Sequence, residues 1–399
     1  MDRWWHEIDH NRAMRVLHVA QPLDAGVPRV AGDLVADQMR RGWEVTVACP
    51  HESELRASAR REGAHHLPWE AKRAPGASVP GEARRLAALI REAGPDLVHL
   101  HSAKAGLAGR LAIRGRRTTL FQPHAWSFEA VRGPLRTATV AWERAAARWA
   151  SAIVCVSEDE RRRGQSVGID GSFAVVPNGV DLSRWPVAGP AEQAAARREL
   201  GLGDGPLVLC VGRLSEQKGQ DVLLEAWALV AQSAPDACLV LVGEGPLRAA
   251  LESDAPPRVR FAGKRDDVDV WVAAADVVAI PSRWEAGLPL VAMEAMARAR
   301  SVVAADVAGV SEGLEGGCGR VVGVGAAQPL AEALTERLLD GSLVSREGAA
   351  ARRRVETRYD LRRTTAQMAQ LYDSIIVQRQ GPPRAGRTLR SRPAGPRGS

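Results

Sequence analysis

The sequence predicts an α/β protein built from two Rossmann-like domains. Three observations predict it. A length of 399 residues exceeds what one ordinary core holds, so two domains are expected. Short β-branched apolar runs alternate with stretches of helical periodicity from Arg15 to Ile376, the pattern of parallel sheets wrapped by helices. No internal sequence repeat links the halves, so the repetition is one of architecture.

The first half opens with an extension, residues 1–13, that has no clear period. Arg15-Val-Leu-His-Val-Ala20 reads as a strand, Gln21 to Pro28 as a loop around Gly26, and Val30 to Arg40 as a helix closed by Gly42. Glu44-Val-Thr-Val-Ala-Cys49 is the second strand. This β–loop–α–β start lacks the G-x-G-x-x-G of dinucleotide binders, which argues against a dehydrogenase. Pro50 to Pro80 is too irregular to assign. Arg84 to Ala93 is a helix ending at Gly94-Pro95, and Asp96-Leu-Val-His-Leu-His101 is the next strand. His99 and His101 share a strand face; as a metal pair they lack an evident third ligand, so no metal site is expected. The loop and helix start at 101–106 either form a capped helix with a surface lysine or offer amides and Lys104 to an anionic ligand.

Thr118 to Gln122 is a strand, followed by Pro123-His124-Ala-Trp-Ser-Phe128. Val140 to Ala150 groups Trp142, Ala145, Ala146 and Trp149 opposite Arg144 and Arg148. That reads as a core-facing helix, with a membrane-surface helix as the alternative. Ser151 to Val156 is a strand with Ser157 as a helix N-cap, and Phe173 to Val176 is the last strand of this half. Leu182 to Gly205 reads as the interdomain connection.

The second half starts with the strand Pro206 to Gly212. Gly212-Arg213-Leu-Ser-Glu-Gln-Lys218-Gly219 follows at its carboxyl end. Two cations beside a glycine-bearing turn and a helix start make a diphosphate cradle. Cys238 to Val242 and Arg258 to Gly263 are strands, the first leading into Gly243-Glu-Gly-Pro246. Asp276 to Ile280 is a buried strand, Pro281 to Pro289 a tight loop carrying Glu285 and Gly287, and a helix carrying Glu294 starts at Leu290. Ser301 to Ala305, helices over 328–340 and about 343–357, and a strong helix from Tyr359 to Ile376 complete the fold. The last groups Met368, Leu371, Tyr372 and Ile375.

Composition excludes several classes. No apolar run reaches the length of a membrane span, and no secretory signal is apparent. The five scattered cysteines fit reduced thiols in the cytoplasm rather than a disulfide frame or zinc site. Five arginines after Gln380 supply most of the net charge of +7, in a Pro/Gly-rich tail (380–399) expected to be disordered. No aromatic-studded basic stripe accompanies them, so nucleic acid is not the expected partner.

The stretch Ile280-Pro-Ser-Arg-Trp-Glu285-Ala-Gly-Leu-Pro-Leu290-Val-Ala-Met-Glu294 resembles the paired-glutamate signature of retaining GT-B glycosyltransferases of family 4 (group 1). So does the Gly212–Gly219 turn, and the likeness runs over about residues 14–378. In that family seven residues separate the two glutamates; here eight do. The resemblance implies two domains facing across a cleft: an acceptor domain over 14–186, completed by helix 359–378 crossing back, a connection at 187–204, and a nucleotide-sugar domain over 205–358. It implies that Arg213 and Lys218 neutralise the diphosphate, Glu294 grips the ribose, and Glu285 and His124 lie by the transferred sugar. Gly287, Leu288, Phe261 and Gly263 would complete the donor site, and Gly26, His101 and Lys104 would lie on the acceptor side. It further implies retention, a UDP- or GDP-linked donor, a sugar, lipid-linked or small-molecule acceptor, no metal or other cofactor, and cell-surface polysaccharide or glycoconjugate synthesis. The expected place is the cytoplasm, with or without peripheral contact at the inner membrane surface. A sugar-nucleotide epimerase of the same architecture and a catalytically idle nucleotide-sugar-binding subunit are the alternatives.

Overall fold

The computed structural model describes residues 13–24, 26–72, 74 and 76–380. Residues 1–12 of the expected extension and 381–399 of the expected tail lie outside the described residues.

Both halves are parallel α/β units. In the first, β1 (Arg15–Ala20), α1 (Gly26–Arg40), β2 (Glu44–Cys49), α2 (Glu54–Arg61), β3 (His65–Pro68) and α3 (Val79–Ala93) come in order. Then follow β4 (Leu97–His101), α4 (Ser102–Ile113), β5 (Thr119–Gln122), α5 (Gly133–Ala147), β6 (Ala152–Cys155), α6 (Glu158–Ser166) and β7 (Phe173–Val175). Helix α7 (Pro190–Glu199) leads to β8 (Leu207–Val211), α8 (Gln220–Ser233), β9 (Cys238–Val242), α9 (Arg248–Ser253), β10 (Val259–Gly263) and α10 (Val268–Ala274). The second half continues with β11 (Val277–Ile280), α11 (Leu290–Ala297), β12 (Ser301–Ala305), α12 (Val310–Gly313), β13 (Gly319–Val322), α13 (Ala327–Leu339) and α14 (Gly341–Arg358). Helix α15 (Leu361–Gln380) closes the described chain.

The strands form two sheets ordered β3-β2-β1-β4-β5-β6-β7 and β10-β9-β8-β11-β12-β13. The strands are short and β-branched, and in β4, β5, β6, β11 and β12 every residue is buried, as parallel strands with helices on both faces require. In each sheet the strand order reverses once, between β1 and β4 and between β8 and β11. A crevice at the strands' carboxyl ends opens there, and ligands of such sheets bind in it.

The structure differs from the sequence reading in several places; helix α3 starts at Val79 instead of Arg84, and α12 and β13 were not expected. Helix α1 starts at Gly26 instead of Val30, with Pro28 inside its first turns, where a missing backbone donor costs nothing. The unassigned stretch holds α2, capped by Ser53, and the edge strand β3. Helix α5 starts at Gly133 and buries Glu143, Ala146 and Ala147, whereas Ala145 is exposed. The expected face otherwise holds, with Trp142, Ala146 and Trp149 turned inward and Arg144 and Arg148 exposed, and the Glu143 carboxylate joins it in the core to pair with Arg110 at 2.7 Å.

The connection belongs to the second half. From α7, Gln193 and Arg197 hydrogen-bond Asp276 at the start of β11, at 2.9 and 2.6 Å. Helix α15 returns to the first half, where Met368, Tyr372 and Ile375 pack with Val16 and Leu34. The outgoing and returning chain segments touch. Val180 N donates to Tyr359 O at 2.8 Å, and Leu361 N to Val180 O at 3.0 Å. Thr364 Oγ1 donates to Pro177 O at 3.0 Å. A Cβ on Gly179 would sit 2.6 Å from Leu361 Cα, so this crossing needs glycine.

Candidate functional site

The second sheet presents a bare carboxyl edge. Gly212 and Gly243 follow β8 and β9, and Gly263 ends β10; these residues carry no side chains, and Gly212 N and Gly243 N hydrogen-bond the neighbouring strands at 2.9 and 2.8 Å. Arg213 stands exposed at this edge. Its carbonyl is held by Gln220 Nε2 at 3.1 Å, which fixes the turn and leaves the guanidinium out of it. Lys218 ends a short 3-10 turn, and Gly219 takes a φ of 65° to enter α8. A Cβ on Gly219 would lie 2.1 Å from Pro281 O, so the Lys218 turn is pressed against the loop that follows β11.

That loop carries Glu285. Its Oε1 accepts from Ser282 Oγ at 2.8 Å and from Lys218 Nζ in a short ion pair. The two sides of the β8/β11 switch point thus meet through one carboxylate. The loop also reaches the first domain: Ser157 Oγ donates to Ala286 O at 3.1 Å, and Arg163 Nη2 to Glu285 O at 3.3 Å. Helix α11 starts at Leu290 behind Pro289, so Glu294 lies in its second turn, nearly buried. Glu294 is ion-paired with Arg29 from the first turn of α1, and a Cβ on Gly26 would meet Leu290 Cδ1 at 3.8 Å. The amino ends of α1 and α11 face each other across the cleft. Gly287 is packed against Val156, Leu288 is buried, and Phe261 is half-buried in β10.

On the first domain's side His124 follows β5, half-buried, with a φ of 51°, and Ala125 follows at 88°. Two successive non-glycine residues with positive φ are a strained conformation. It is held by Glu160, whose Oε1 accepts from Ala125 N at 2.9 Å and whose Oε2 accepts from Val156 N at 2.8 Å. Burial raises the Glu160 carboxyl to about 7. Burial likewise lowers His124 to about 3.

Two expected residues sit differently. Lys104 is buried and its Nζ pairs with Glu82 at 2.6 Å and bonds Ala74 O at 3.3 Å, tying α4 to α3. It is no free cation for an anionic ligand. His101 is wholly buried and bonded to His124, so it does not itself line the cleft. Sequence reading missed Arg29, Asp33 and His18. Burial raises Asp33, on α1 near Arg29 and Glu294, to about 6. Arg29 could have been suspected from its place just after the first loop. His18 supplies the third histidine near His99 and His101, with ring nitrogens of all three within 4.8 Å of one another. It was hidden inside an apolar strand.

Two family models match the chain. The Glycosyltransferase Family 4 model covers residues 25–184, and the Glycosyl transferases group 1 model covers residues 205–340. The chain belongs to the group 1 glycosyltransferases. It is 34% identical over 211 residues, half of this chain, to the GDP-mannose-dependent monoacylated alpha-(1-6)-phosphatidylinositol monomannoside mannosyltransferase of Corynebacterium glutamicum. It is 30% identical over 237 residues, 55% of this chain, to the UDP-Gal:alpha-D-GlcNAc-diphosphoundecaprenol alpha-1,3-galactosyltransferase of Escherichia coli. These matches span 55% and 60% of the relatives' own lengths. Anabaena HepE, solved with UDP and glucose, superposes with a TM-score of 0.79 at 22% identity, over 90% of this chain and 100% of that one. The fold is GT-B. No helix among the described residues is long and apolar enough to cross a membrane.

Proposed function

We propose that this group 1 glycosyltransferase moves a sugar from a nucleoside-diphosphate sugar to a hydroxyl acceptor, with retention and without a divalent metal. The observation that carries the reading is the crevice at β8/β11, where Arg213 stands exposed and Lys218 is bound to Glu285 beside a bare glycine edge. A diphosphate leaving group gains charge as the glycosidic bond breaks, and cations already in place stabilise that charge. Glu285 faces the sugar side, where positive charge develops on the ring and a carboxylate opposes it. Glu294 is placed to accept from ribose hydroxyls, which would take over the donor role of Arg29. Phe261 and Gly263 flank the base, and His124 meets a sugar hydroxyl from the facing domain. Gly26 opens α1 toward the acceptor side.

The relatives named above use GDP-mannose and UDP-galactose, which supports a UDP- or GDP-linked donor and a lipid-linked acceptor in cell-surface glycoconjugate synthesis. Such an acceptor would bring the enzyme to the cytoplasmic face of a membrane, where the exposed Arg132, Leu135 and Arg136 at the start of α5 suit peripheral contact. The test is incubation with UDP-glucose, UDP-galactose and GDP-mannose plus alkyl glycosides and polyprenyl-diphosphate sugars, with the products read by NMR. An α-linked glycoside formed in EDTA is the expected result. A β-linked product, an epimerised nucleotide sugar, or activity restored only by magnesium or manganese would contradict it.

A further inference from the structure

Four imidazoles and an amide form a connected polar seam at the switch point of the first sheet. His18 and His99 are register partners on β1 and β4, and His101 lies two residues on, so all three point to one sheet face. That face is otherwise apolar, covered by α1 and α15. His18, His99 and His101 are fully buried.

The hydrogen bonds have a direction. Gln38 Oε1 lies 2.8 Å from His18 Nε2, and a carbonyl oxygen can only accept, so His18 carries its proton on Nε2. Burial keeps His18 neutral at pH 7, lowering it to about 4, so its Nδ1 is a lone pair. His18 Nδ1 is 2.9 Å from His101 Nε2, which must therefore donate. Burial also holds His101 well below the usual histidine range, so its Nδ1 accepts in turn. His124 Nε2, at 3.2 Å from His101 Nδ1, then donates. One lone pair remains, on His124 Nδ1, which has no hydrogen-bond partner among the described residues and is not closed off from solvent. The rings stack as the chain requires, His18 on His101 at 5.2 Å and His101 on His124 at 5.5 Å between centroids. His99 lies tilted against His101, 3.9 Å between centroids, and is itself fixed by Tyr372 of α15, whose hydroxyl is 2.5 Å from its Nδ1.

We propose that Gln38, His18 and His101 are positioning residues that fix the tautomer of His124, so that its Nδ1 faces the cleft as a hydrogen-bond acceptor for a sugar hydroxyl. A neutral imidazole in water exchanges between two tautomers, one of which would present N–H to the cleft and repel a donating hydroxyl. The chain removes that second form. Glu160 fixes the backbone of the same residue through Ala125, so ring and main chain have separate anchors. The seam is better described as a proton-ordering chain than as a metal site. The 2.9 Å contact between His18 and His101 is an N–H···N hydrogen bond, whose proton an ion would have to displace. The consequence for turnover rests on the glycosyltransferase reading; the tautomer does not.

The test is a long-range 1H–15N correlation spectrum of histidine-labelled full-length protein, with rings assigned by single substitutions. The wild type should show one neutral His124 tautomer, protonated on Nε2 and bare on Nδ1. Gln38→Leu, which removes the acceptor that sets the direction, should weaken that preference. His18→Phe, which cuts the chain, should convert His124 to a mixture and lower kcat/KM while leaving nucleoside-diphosphate affinity within about twofold. A proton on His124 Nδ1 in the wild type would overturn the proposal even if no variant folds. So would an unchanged single tautomer in folded His18→Phe, or stoichiometric zinc binding that removes these ring-proton signals.

Discussion

Lys218 is already occupied before any nucleotide arrives. Its ammonium lies on Glu285, so a diphosphate must compete with a protein carboxylate for that cation. Glu285→Gln keeps the shape of the side chain but gives up the ion pair. It should leave UDP or GDP affinity unchanged or raise it by up to about tenfold, since a partly exposed pair is worth about 1 kcal/mol, while turnover falls. Weaker nucleotide binding in Glu285→Gln, read by calorimetry, would place Glu285 in the diphosphate grip instead. Glu294→Ala should behave in the opposite way, losing nucleotide affinity and activity together. Gly219→Ala should destabilise the fold by about 1–3 kcal/mol in urea titrations. It forces an L-residue to a φ of 65° and drives its Cβ into Pro281 O. A neutral effect would mean that the Lys218 turn yields more freely than its packing implies.

At the scale of elements, the crossing between domains is held by a few backbone bonds at Val180, Tyr359 and Leu361, with Gly179 in close contact. Gly179→Ala should cost about 1–3 kcal/mol and should also alter domain closure, because both crossings pass this point. A change in the scattering-derived radius of gyration together with lower stability is the expected pair of results; unaltered values of both would contradict it. Elements were legible where periodicity was strong. Strands β1, β2, β8, β9 and β11 are compact apolar runs, and α15 announces its buried stripe through Met368, Tyr372 and Ile375. Strand β3 was not legible, being the half-exposed edge sequence His65-His-Leu-Pro68 with no β-branched residue. The start of α1 was missed because Gly26 and Pro28 read as loop residues, and only the cleft position explains them as a helix entry. In the candidate site, the turn that carries Arg213 and Lys218 was legible as a strand end leading into a helix, because its eight residues, Gly212 to Gly219, are consecutive. Arg29 with Glu294 was not, because a pair 265 positions apart leaves no local trace. Lys104 was misjudged for the same reason, its partner Glu82 lying on another helix.

At the scale of the whole molecule, buried histidines make stability depend on pH. Burial lowers His18 to about 4 and His124 to about 3, and holds His99 and His101 well below the usual range. The unfolded chain therefore binds more protons than the folded one below about pH 6.5. The histidine contribution is complete above that value and declines as pH falls toward 4. Glu160 and Asp33, raised to about 7 and about 6 by burial, act in the opposite sense, as do Glu129 and Asp373, which burial also raises, but the fully buried rings at His18, His99 and His101 together with His124 and His66 outweigh them. The urea midpoint should therefore be lower at about pH 5 than at about pH 7. The reverse order would mean that the rings are hydrated and charged in the folded protein.

The proposed nucleotide site on the second domain carries the proposed function, and calorimetric titration of UDP and GDP tests it most directly. The comparison is between wild type, Arg213→Ala and Lys218→Ala, each checked for folding. A charge-assisted contact to phosphate is worth about 1.5–3 kcal/mol, so each variant should bind the nucleoside diphosphate roughly tenfold to a hundredfold more weakly than wild type. Equal affinity in all three proteins would contradict it.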